Sequence, residues 1–126
     1  MEYISSTLSH AEKRLFSDAE CREAARRVPY SLSFLDAGIY QRNISLQRVL
    51  WHRRFVRLCY RRLKRELRKS DVLIVRSPPT ELVAAAAALK RKFGCRIVMD
   101  IEDVWPDAMS ESSGLAKRTF AAYCDH

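Results

Sequence analysis

The stretch DVLIVRSPPTELVAAAAALKRKFGCRIVMDIED, residues 71–103, decides the fold. Its two apolar runs, at 72–75 and 97–99, are short, continuous and rich in β-branched residues, which is typical of strands buried on both faces of a parallel sheet. The alanine-rich segment 79–93 between them predicts a helix, because prolines begin it and a basic turn followed by glycine ends it. The stretch therefore predicts a strand–helix–strand unit.

Upstream of this unit the chain repeats the same alternation with weaker signals. Residues 2–6 are a short strand candidate, and alternating apolar side chains at 30–34 predict a second strand, which a turn at 36–38 ends. The polar segment 10–27 is able to hold a helix, although its apolar spacing is irregular. Alternating strands and helices predict an α/β fold with a mostly parallel sheet in one domain spanning 1–126, and the family resemblance described below implies that this sheet is Rossmann-like.

The strongest helix signal lies at residues 45–69, where Ser45 is the expected N-cap. Apolar residues at helical spacing predict one stripe that packs on the sheet, namely Val49, Val56, Tyr60, Leu63 and Leu67, with Leu46 and Cys59 beside them. Between residues 42 and 69 the chain carries 11 Lys and Arg and one acid, Glu66. The formal net charge of +8 therefore comes from this segment, and the rest of the chain is close to neutral.

Composition limits the classes of protein that this chain fits. Its 126 residues, 48% apolar and 30% charged, suit one globular domain rather than a disordered chain. No apolar run approaches the roughly 20 residues that a membrane-spanning helix needs, and residues 1–6 do not resemble a secretory signal. The 4 cysteines lie far apart without a C-x-x-C pair, so we predict no metal site and reduced thiols in the cytoplasm.

Polar side chains follow each predicted strand, at the edge where parallel sheets of this class bind ligands. They are Ser5, Ser6 and His10 after the first strand, Asp36 after the second, Ser77 after the third, and Asp100, Glu102 and Asp103 after the fourth. Three acids so close together repel one another unless they meet a cation or a polar ligand, which makes them site candidates. The alternative is structural, because serine and aspartate commonly shape loops and a single histidine is more often a surface residue.

Four segments carry a resemblance to a known enzyme family. DVLIVRSPP at 71–79 and MDIEDVWPD at 99–107 resemble the pattern D-V-hydrophobic-S-P-P, a helix and D-x-R-D-L-W-P-[DE] of family 4 glycosyltransferases of polysaccharide biosynthesis, which have the GT-B fold. SSTLSH at 5–10 is similar to the T-S-x-F-S-H segment after the family's second strand. Residues 40–48 are similar to its Y-x-K-N-x-S-x-x-R segment. The four matches stand in the family's order over nearly the whole chain.

Two departures from the family pattern affect the expected site. Glu102 stands where the family usually has arginine, and Leu8 stands where it often has an aromatic residue. The resemblance also implies that the chain begins at the family's second strand and lacks the second Rossmann-like domain, which carries a Glu-x7-Glu motif and the nucleotide-sugar site. We therefore expect an incomplete N-terminal, acceptor-side half of a GT-B fold that is inactive alone, either a truncated remnant or a subunit completed by a separate C-terminal-domain chain.

The resemblance implies a reaction and the residues that serve it. Enzymes of this family transfer a sugar from a nucleotide sugar to a glycan acceptor with retention, and the acceptor is often linked to polyprenyl phosphate. The candidate catalytic residues, which orient the acceptor hydroxyl, are Asp100, Glu102 and Asp103. The candidate acceptor-binding residues are His10, Ser6, Ser77 and Asn43. No cofactor is expected in this chain, and the nucleotide-sugar donor is expected only for the complete protein.

The basic helix at 45–69 predicts a further surface. The side chains expected to face an anionic membrane are Arg53, Arg54, Arg57, Arg61, Arg62 and Arg65, with interfacial contact from Trp51 and Phe55. This predicts a protein peripheral to the inner face of the cell membrane. The alternatives are a solvated arginine-rich face and a nucleic-acid-binding module. Specific nucleic-acid binding is not predicted, because no helix-turn-helix, zinc finger or RNP motif accompanies the arginines.

Overall fold

The parts of the chain that the computed structural model describes are residues 1–43, 45–77 and 79–102. The chain divides into two compact units, Met1–Leu63 and Lys64–His126. In the described residues the strands form three two-stranded sheets, and two of these sheets are parallel. The α/β class is therefore confirmed, although the described strands do not join into one wide sheet. The organisation as one domain stays a prediction.

The Met1–Leu63 unit is built on two parallel strands. The elements in chain order are β1 (Glu2–Ser6), β2 (Leu8–Ser9), β3 (Arg14–Leu15), α1 (Asp18–Arg26), β4 (Ser31–Leu35) and α2 (Leu46–Glu66), the last of which runs beyond the end of the unit. Strands β1 and β4 pair in parallel, with Glu2 opposite Ser31 and Ser6 opposite Leu35. Both strand predictions in this half of the chain are confirmed.

The connection from β1 to β4 contains a shorter helix than the sequence allows for over residues 10–27. Residues 8–15 form an antiparallel hairpin, and α1 begins only after it. Ser17 fixes that start, because its hydroxyl accepts the Glu20 N–H at 3.3 Å while the Glu20 carboxylate accepts the Ser17 N–H at 2.7 Å. This reciprocal pair is a capping box. It gives hydrogen-bond partners to N–H groups that have none within the helix, and so it fixes the N-terminus of α1 at Ser17.

Helix α2 begins as predicted but buries a different face. The Ser45 hydroxyl accepts the Arg48 N–H at 3.2 Å and so caps the first turn. The buried side chains of α2 are Trp51, His52, Phe55 and Cys59. The stripe predicted from Val49 to Leu67 is only half-buried, and Leu46 beside it is 73% exposed. The observed core face is rotated from the predicted stripe by roughly a quarter turn.

Large aromatic side chains decide which face of α2 is buried. Trp51 and Phe55, one turn apart, stack with their ring centroids 5.3 Å apart and their planes 7° apart. Because these rings bury more apolar area than valine or leucine, they take the core positions. The expectation that they contact a membrane is contradicted, since Trp51 is 5% and Phe55 8% exposed.

The Lys64–His126 unit contains the strand–helix–strand element that the sequence predicts. Strands β5 (Val72–Ser77) and β6 (Arg96–Ile101) pair in parallel, and α3 (Glu81–Phe93) connects them. Gly94 ends α3 with a φ of 71°, a left-handed conformation that glycine adopts easily. Its N–H donates to a carbonyl of the last helical turn at 2.8 Å, as in many helix ends. All three predicted elements are confirmed.

Helix α3 covers part of one face of the β5–β6 pair, and the other face is exposed. Helix α3 packs on the first face, where Leu89 is 1% and Val75 is 7% exposed. On the opposite face Val72, Ile74 and Val98 are 45%, 63% and 52% exposed. The prediction that both strands are buried on both faces is therefore wrong for the described residues. A run of β-branched residues specifies a strand, but it does not specify what packs against it.

Candidate functional site

Three segments of the Met1–Leu63 unit converge on one group of side chains. The turn of the β2–β3 hairpin, the chain that follows β4 and the first turns of α2 each contribute to it. We name this group the His10 cluster, and its members are His10, Lys13, Tyr40, Asn43, Arg48, Trp51 and His52. The first two segments follow the parallel strands β1 and β4, which is where the sequence places its candidate ligand-binding residues.

One hydrogen bond joins two of these segments. Nδ1 of His10 lies 2.8 Å from the hydroxyl oxygen of Tyr40, 30 residues further along the chain. The Tyr40 side chain is 2% exposed, whereas the His10 ring is at the surface. Burial raises the pKa of Tyr40, so its hydroxyl keeps its proton at neutral pH. When that hydroxyl donates to Nδ1, the neutral His10 ring carries its own proton on Nε2.

Trp51 forms the base of the His10 cluster. The centroid of its ring system lies 5.2 Å from that of His10 and 5.6 Å from that of Tyr40, and both contacts are edge-on. Its indole N–H donates to the Gly38 carbonyl at 2.9 Å, so the polar atom of this buried side chain is satisfied. Gly38 in turn has a φ of 84°, which shapes the loop that brings this carbonyl to the indole.

Two cations and one asparagine complete the cluster. Nζ of Lys13 lies 4.5 Å from the centroid of the Tyr40 ring, and the guanidinium carbon of Arg48 lies 5.6 Å from it. Asn43 contacts both cations, because its side-chain oxygen accepts from Lys13 at 2.6 Å and its backbone carbonyl accepts from Arg48 at 2.9 Å. Two positive charges around one aromatic ring make this part of the surface electropositive.

The cations act on both histidines of the cluster. Partial burial lowers the pKa of His10, and the charges of Lys13 and Arg48 lower it further. Burial also lowers the pKa of His52 to about 4, with Arg48 and His10 acting in the same direction. Nε of Arg48 donates to Nε2 of His52 at 3.4 Å, a hydrogen bond that requires a neutral ring. Both imidazoles are therefore neutral at pH 7.

Of the candidate residues in this unit, two belong to the cluster and two shape the backbone. His10 and Asn43, both predicted to bind the acceptor, lie together through their shared neighbours Lys13 and Tyr40. Ser6, also a predicted acceptor residue, is 7% exposed and donates to the Leu8 carbonyl at 3.5 Å. Asp36 accepts the Gly38 N–H at 2.7 Å and so forms the loop, which is the structural alternative considered for it.

The acidic group at the end of β6 has a cationic partner. Arg76 on β5 contacts Asp100 at 3.2 Å and Glu102 at 3.2 Å, and all three side chains are about half exposed. The mutual repulsion expected of these acids is therefore offset by Arg76. Ser77, the predicted acceptor residue beside it, is 6% exposed. Asp103, the third member of the predicted catalytic group, lies outside the described residues.

Three site residues, Arg76, His52 and Lys13, were not singled out from the sequence for any role, and two of them had a signal. Arg76 lies opposite Asp100 in the parallel register, which follows once both strands are placed. His52 follows Arg48 by one helical turn, a spacing at which side chains meet. Lys13 had no signal, because it reaches the cluster through a hairpin that the sequence does not mark.

Helix α2 presents arginines to solvent, with one exception to the prediction. The exposed ones are Arg53, Arg54, Arg57, Arg61 and Arg65. Arg62 instead contacts the Glu2 carboxylate of β1 at 2.6 Å, and its side chain is 34% exposed. The expectation that Arg62 faces away from the sheet is therefore contradicted, because an acid on the first strand holds it there.

Two exposed leucines lie on the same side of α2 as these arginines. Leu46 is 73% and Leu50 is 57% exposed. With 3.6 residues per turn, these two positions align with Arg53, Arg57 and Arg61. The face therefore combines apolar and cationic groups. In the part of the chain that the structure describes, no helix has the length and apolarity needed to cross a membrane.

No protein-family model, curated protein or solved structure gives a significant match to the chain. The resemblance to family 4 glycosyltransferases therefore rests on the four segments quoted above. Two of those segments, at residues 5–10 and 40–48, meet in the His10 cluster through the hydrogen bond between His10 and Tyr40.

Proposed function

We propose that this chain is the acceptor-side part of a retaining GT-B glycosyltransferase of family 4, acting in polysaccharide biosynthesis, and that the His10 cluster binds its sugar acceptor. The observation that supports this most strongly is the 2.8 Å contact between His10 and Tyr40. It joins two segments that resemble the family separately, at residues 5–10 and 40–48, and that are far apart in the sequence.

The chemistry of the cluster suits a sugar. Saccharides present hydroxyl groups around an apolar ring face, and pockets that bind such ligands combine aromatic side chains with a few placed polar groups. His10 supplies a neutral imidazole beside the Trp51 ring, and Asn43 supplies an amide. In the other tautomer, in which Nδ1–H of His10 donates to the Tyr40 hydroxyl oxygen, Nε2 is able to accept the proton of an acceptor hydroxyl, which is the step that activates it for transfer.

The rest of the reaction is assigned by resemblance. The proposed role of Asp100, Glu102 and Asp103 is to orient the acceptor hydroxyl, and for the first two this includes their partner Arg76. The donor is a nucleotide sugar held by a second Rossmann-like domain or subunit. Transfer needs stabilisation of the leaving diphosphate, for which cationic groups and helix N-termini are suited. On this proposal the 126-residue chain alone binds acceptor but does not transfer sugar.

Acceptor binding is expected to depend on His10. In NMR titrations of the labelled chain with a panel of prenyl-diphosphate-linked monosaccharides and the matching free monosaccharides, at least one sugar is expected to shift the signals of His10 and Asn43. His10→Ala is expected to weaken that binding about tenfold, the effect of one lost hydrogen bond in a bound complex.

Arg22→Ala is the control for this experiment, because Arg22 is an exposed residue of α1 with no place in the cluster. It should leave the dissociation constant within about twofold. If no sugar in the panel binds, or if His10→Ala binds as well as the natural sequence, the acceptor role of the cluster is refuted.

A second observation favours peripheral membrane attachment of the same protein. Leu46 and Leu50 are exposed beside the arginines of α2, so the helix has an apolar group to insert and charges to attract anionic lipid. The leucines take the interfacial role first expected of Trp51 and Phe55, which are buried. Attachment through this face would bring the chain to acceptors linked to polyprenyl phosphate at the inner surface of the cell membrane.

Vesicle binding is expected to require both anionic lipid and the exposed arginines. Each cation near an anionic surface contributes about 1 kcal/mol, so replacing Arg54, Arg57 and Arg61 together by glutamine should weaken binding about a hundredfold. Binding should also fall as the salt concentration rises. Co-sedimentation with vesicles of phosphatidylglycerol and phosphatidylcholine measures both effects.

The matched control removes the same charge elsewhere, by replacing Arg22, Arg26 and Arg42 with glutamine, all of which are exposed. If this control loses as much vesicle binding, the attraction is due to net charge and the α2 face has no special part. Displacement by DNA or RNA at concentrations where lipid does not compete would instead favour a nucleic-acid-binding module.

A further inference from the structure

We propose that Lys13, Asn43 and Arg48 form a binding site for a phosphate-class oxyanion at the surface of the His10 cluster. The inference rests on the proposed function in treating the cluster as a ligand site, and it adds the chemical class of one group that the ligand carries. The site itself is argued from the contacts of its own residues.

The charges around Lys13 support an anionic ligand. Among the described residues, its Nζ contacts the Asn43 amide oxygen and the Tyr40 ring, and neither carries a negative charge. Two acids near Lys13 in the chain are directed elsewhere: Arg14 binds Glu12 at 2.7 Å and Glu20 at 2.7 Å. Glu12 and Glu20 therefore pair with Arg14, the residue after Lys13. The Lys13 ammonium group contacts the residues of the His10 cluster instead.

The backbone at Lys13 supports a role for its side chain. Lys13 has a φ of 54°, the left-handed conformation that glycine and asparagine adopt more easily than lysine. The turn therefore gives no conformational reason for a lysine at this position. Its amine is instead placed 4.5 Å from the Tyr40 ring centroid, in the same cluster as Arg48. Unfavourable backbone conformations that persist in a fold are often found at ligand sites.

The donors of the site match an oxyanion. The ammonium group of Lys13 has three N–H donors, and Asn43 Oδ1 accepts one of them. Arg48 adds a planar guanidinium, which binds phosphate and carboxylate oxygens well, and the Asn43 carbonyl holds this group in place. His10 lies at the edge of the site, and its ring becomes a further donor when Nε2 carries the proton.

The test is an NMR titration of the full chain with inorganic phosphate at low ionic strength. Phosphate is expected to shift the signals of Lys13, Asn43 and Arg48 and to raise the pKa of His10, because the bound anion offsets the two cations. Lys13→Met is expected to weaken binding about tenfold. Lys64→Met removes the same charge from an exposed position of α2 and should leave binding within about twofold.

A second variant separates ligand binding from folding. Lys13→Gly relieves the left-handed backbone, so it should keep or raise Tm while it loses phosphate binding. The inference is overturned if phosphate causes no shifts, if Lys64→Met loses as much affinity as Lys13→Met, or if Lys13→Gly binds phosphate as well as the natural sequence.

A competition experiment with lipid vesicles identifies the source of the anion. If vesicles of phosphatidate in phosphatidylcholine displace inorganic phosphate from the Lys13 site, the oxyanion is a lipid headgroup; if they do not, it is a soluble phosphate compound. The two proposals also fail separately. Phosphate binding without binding of any prenyl-linked or free sugar refutes the acceptor role and retains the oxyanion site, and the reverse result refutes the oxyanion site alone.

Discussion

Trp51→Ala is expected to lower the free energy of unfolding of the Met1–Leu63 unit by about 3–5 kcal/mol, the range for removing a large aromatic side chain from a core. Trp51 is 5% exposed, stacks on Phe55 at 5.3 Å and meets His10 and Tyr40 edge-on. Its loss would also leave the Gly38 carbonyl without its indole donor. Since small domains are stable by about 5–15 kcal/mol in total, this one change should bring the unit near unfolding.

Urea denaturation followed by far-UV circular dichroism measures this loss without depending on the fluorescence of the removed residue. Leu50→Ala is the control, because Leu50 is the preceding residue on α2 but is 57% exposed. It should change stability by no more than about 0.5 kcal/mol, as surface substitutions usually do. Similar small effects of both variants would show that Trp51 is not part of the core, and would restore the idea that it contacts a membrane.

Acidification is expected to destabilise the folded chain well above the pH at which carboxylates are protonated. The pKa of His52 is lowered to about 4 in the fold, compared with an ordinary value of 6.5. Between these values the unfolded chain binds a proton that the folded chain excludes. The contribution of neutral His52 to the free energy of unfolding is therefore present above pH 6.5 and is lost as the pH falls toward 4. From pH 7 to pH 5 this histidine alone should remove about 2 kcal/mol.

The physical reason is local to the His10 cluster. Protonation of His52 places a charge in a side chain that is 4% exposed and removes the acceptor of the Arg48 Nε–H. His52→Gln retains an acceptor but cannot titrate, so its stability should change much less between pH 7 and pH 5. The remaining slope should reflect His10, whose pKa is also lowered. An unchanged pH dependence in His52→Gln would contradict the assignment.

The sequence was sufficient for elements whose signals are local. Strand β6 occupies Arg96–Ile101 as predicted, and α3 ends at the glycine expected to end it. These elements are specified by β-branched runs, a basic last turn and a glycine that tolerates a left-handed backbone. Strand β4 was likewise found, because alternation over five residues is itself the signal of a strand, whereas β1 had only the weaker signal of a short apolar run.

What depends on packing was not predictable in the same way. Hydropathy gives Val56 and Leu63 the same weight in a helical stripe as any core residue, but the fold selects the face that contains Trp51 and Phe55. That choice follows from aromatic partners such as Tyr40, which no helical spacing reveals. The prediction that both faces of the β5–β6 pair are buried was also wrong, because the residues of a strand do not specify which element packs against each face.

The residues of the candidate site also differ in this respect: some have a local sequence signal, and others are brought in only by the fold. His10 and Asn43 were identified from short segments of sequence, and the structure places them in one cluster. Lys13 was missed, because a two-residue strand on each side of a turn is too short to give a periodic signal. Asp100 and Glu102 were found, but their partner Arg76 is revealed only by the strand register.

The contact between Glu2 and Arg62 can form only late in the synthesis of the Met1–Leu63 unit. The two residues are 60 positions apart, so during synthesis Glu2 leaves the ribosome long before Arg62 has been added. At about 5–20 residues per second the first strand waits roughly 3–12 seconds for this partner. Throughout that interval the β1 carboxylate has water in place of the arginine, and the final turns of α2 are the last part of the Met1–Leu63 unit to emerge.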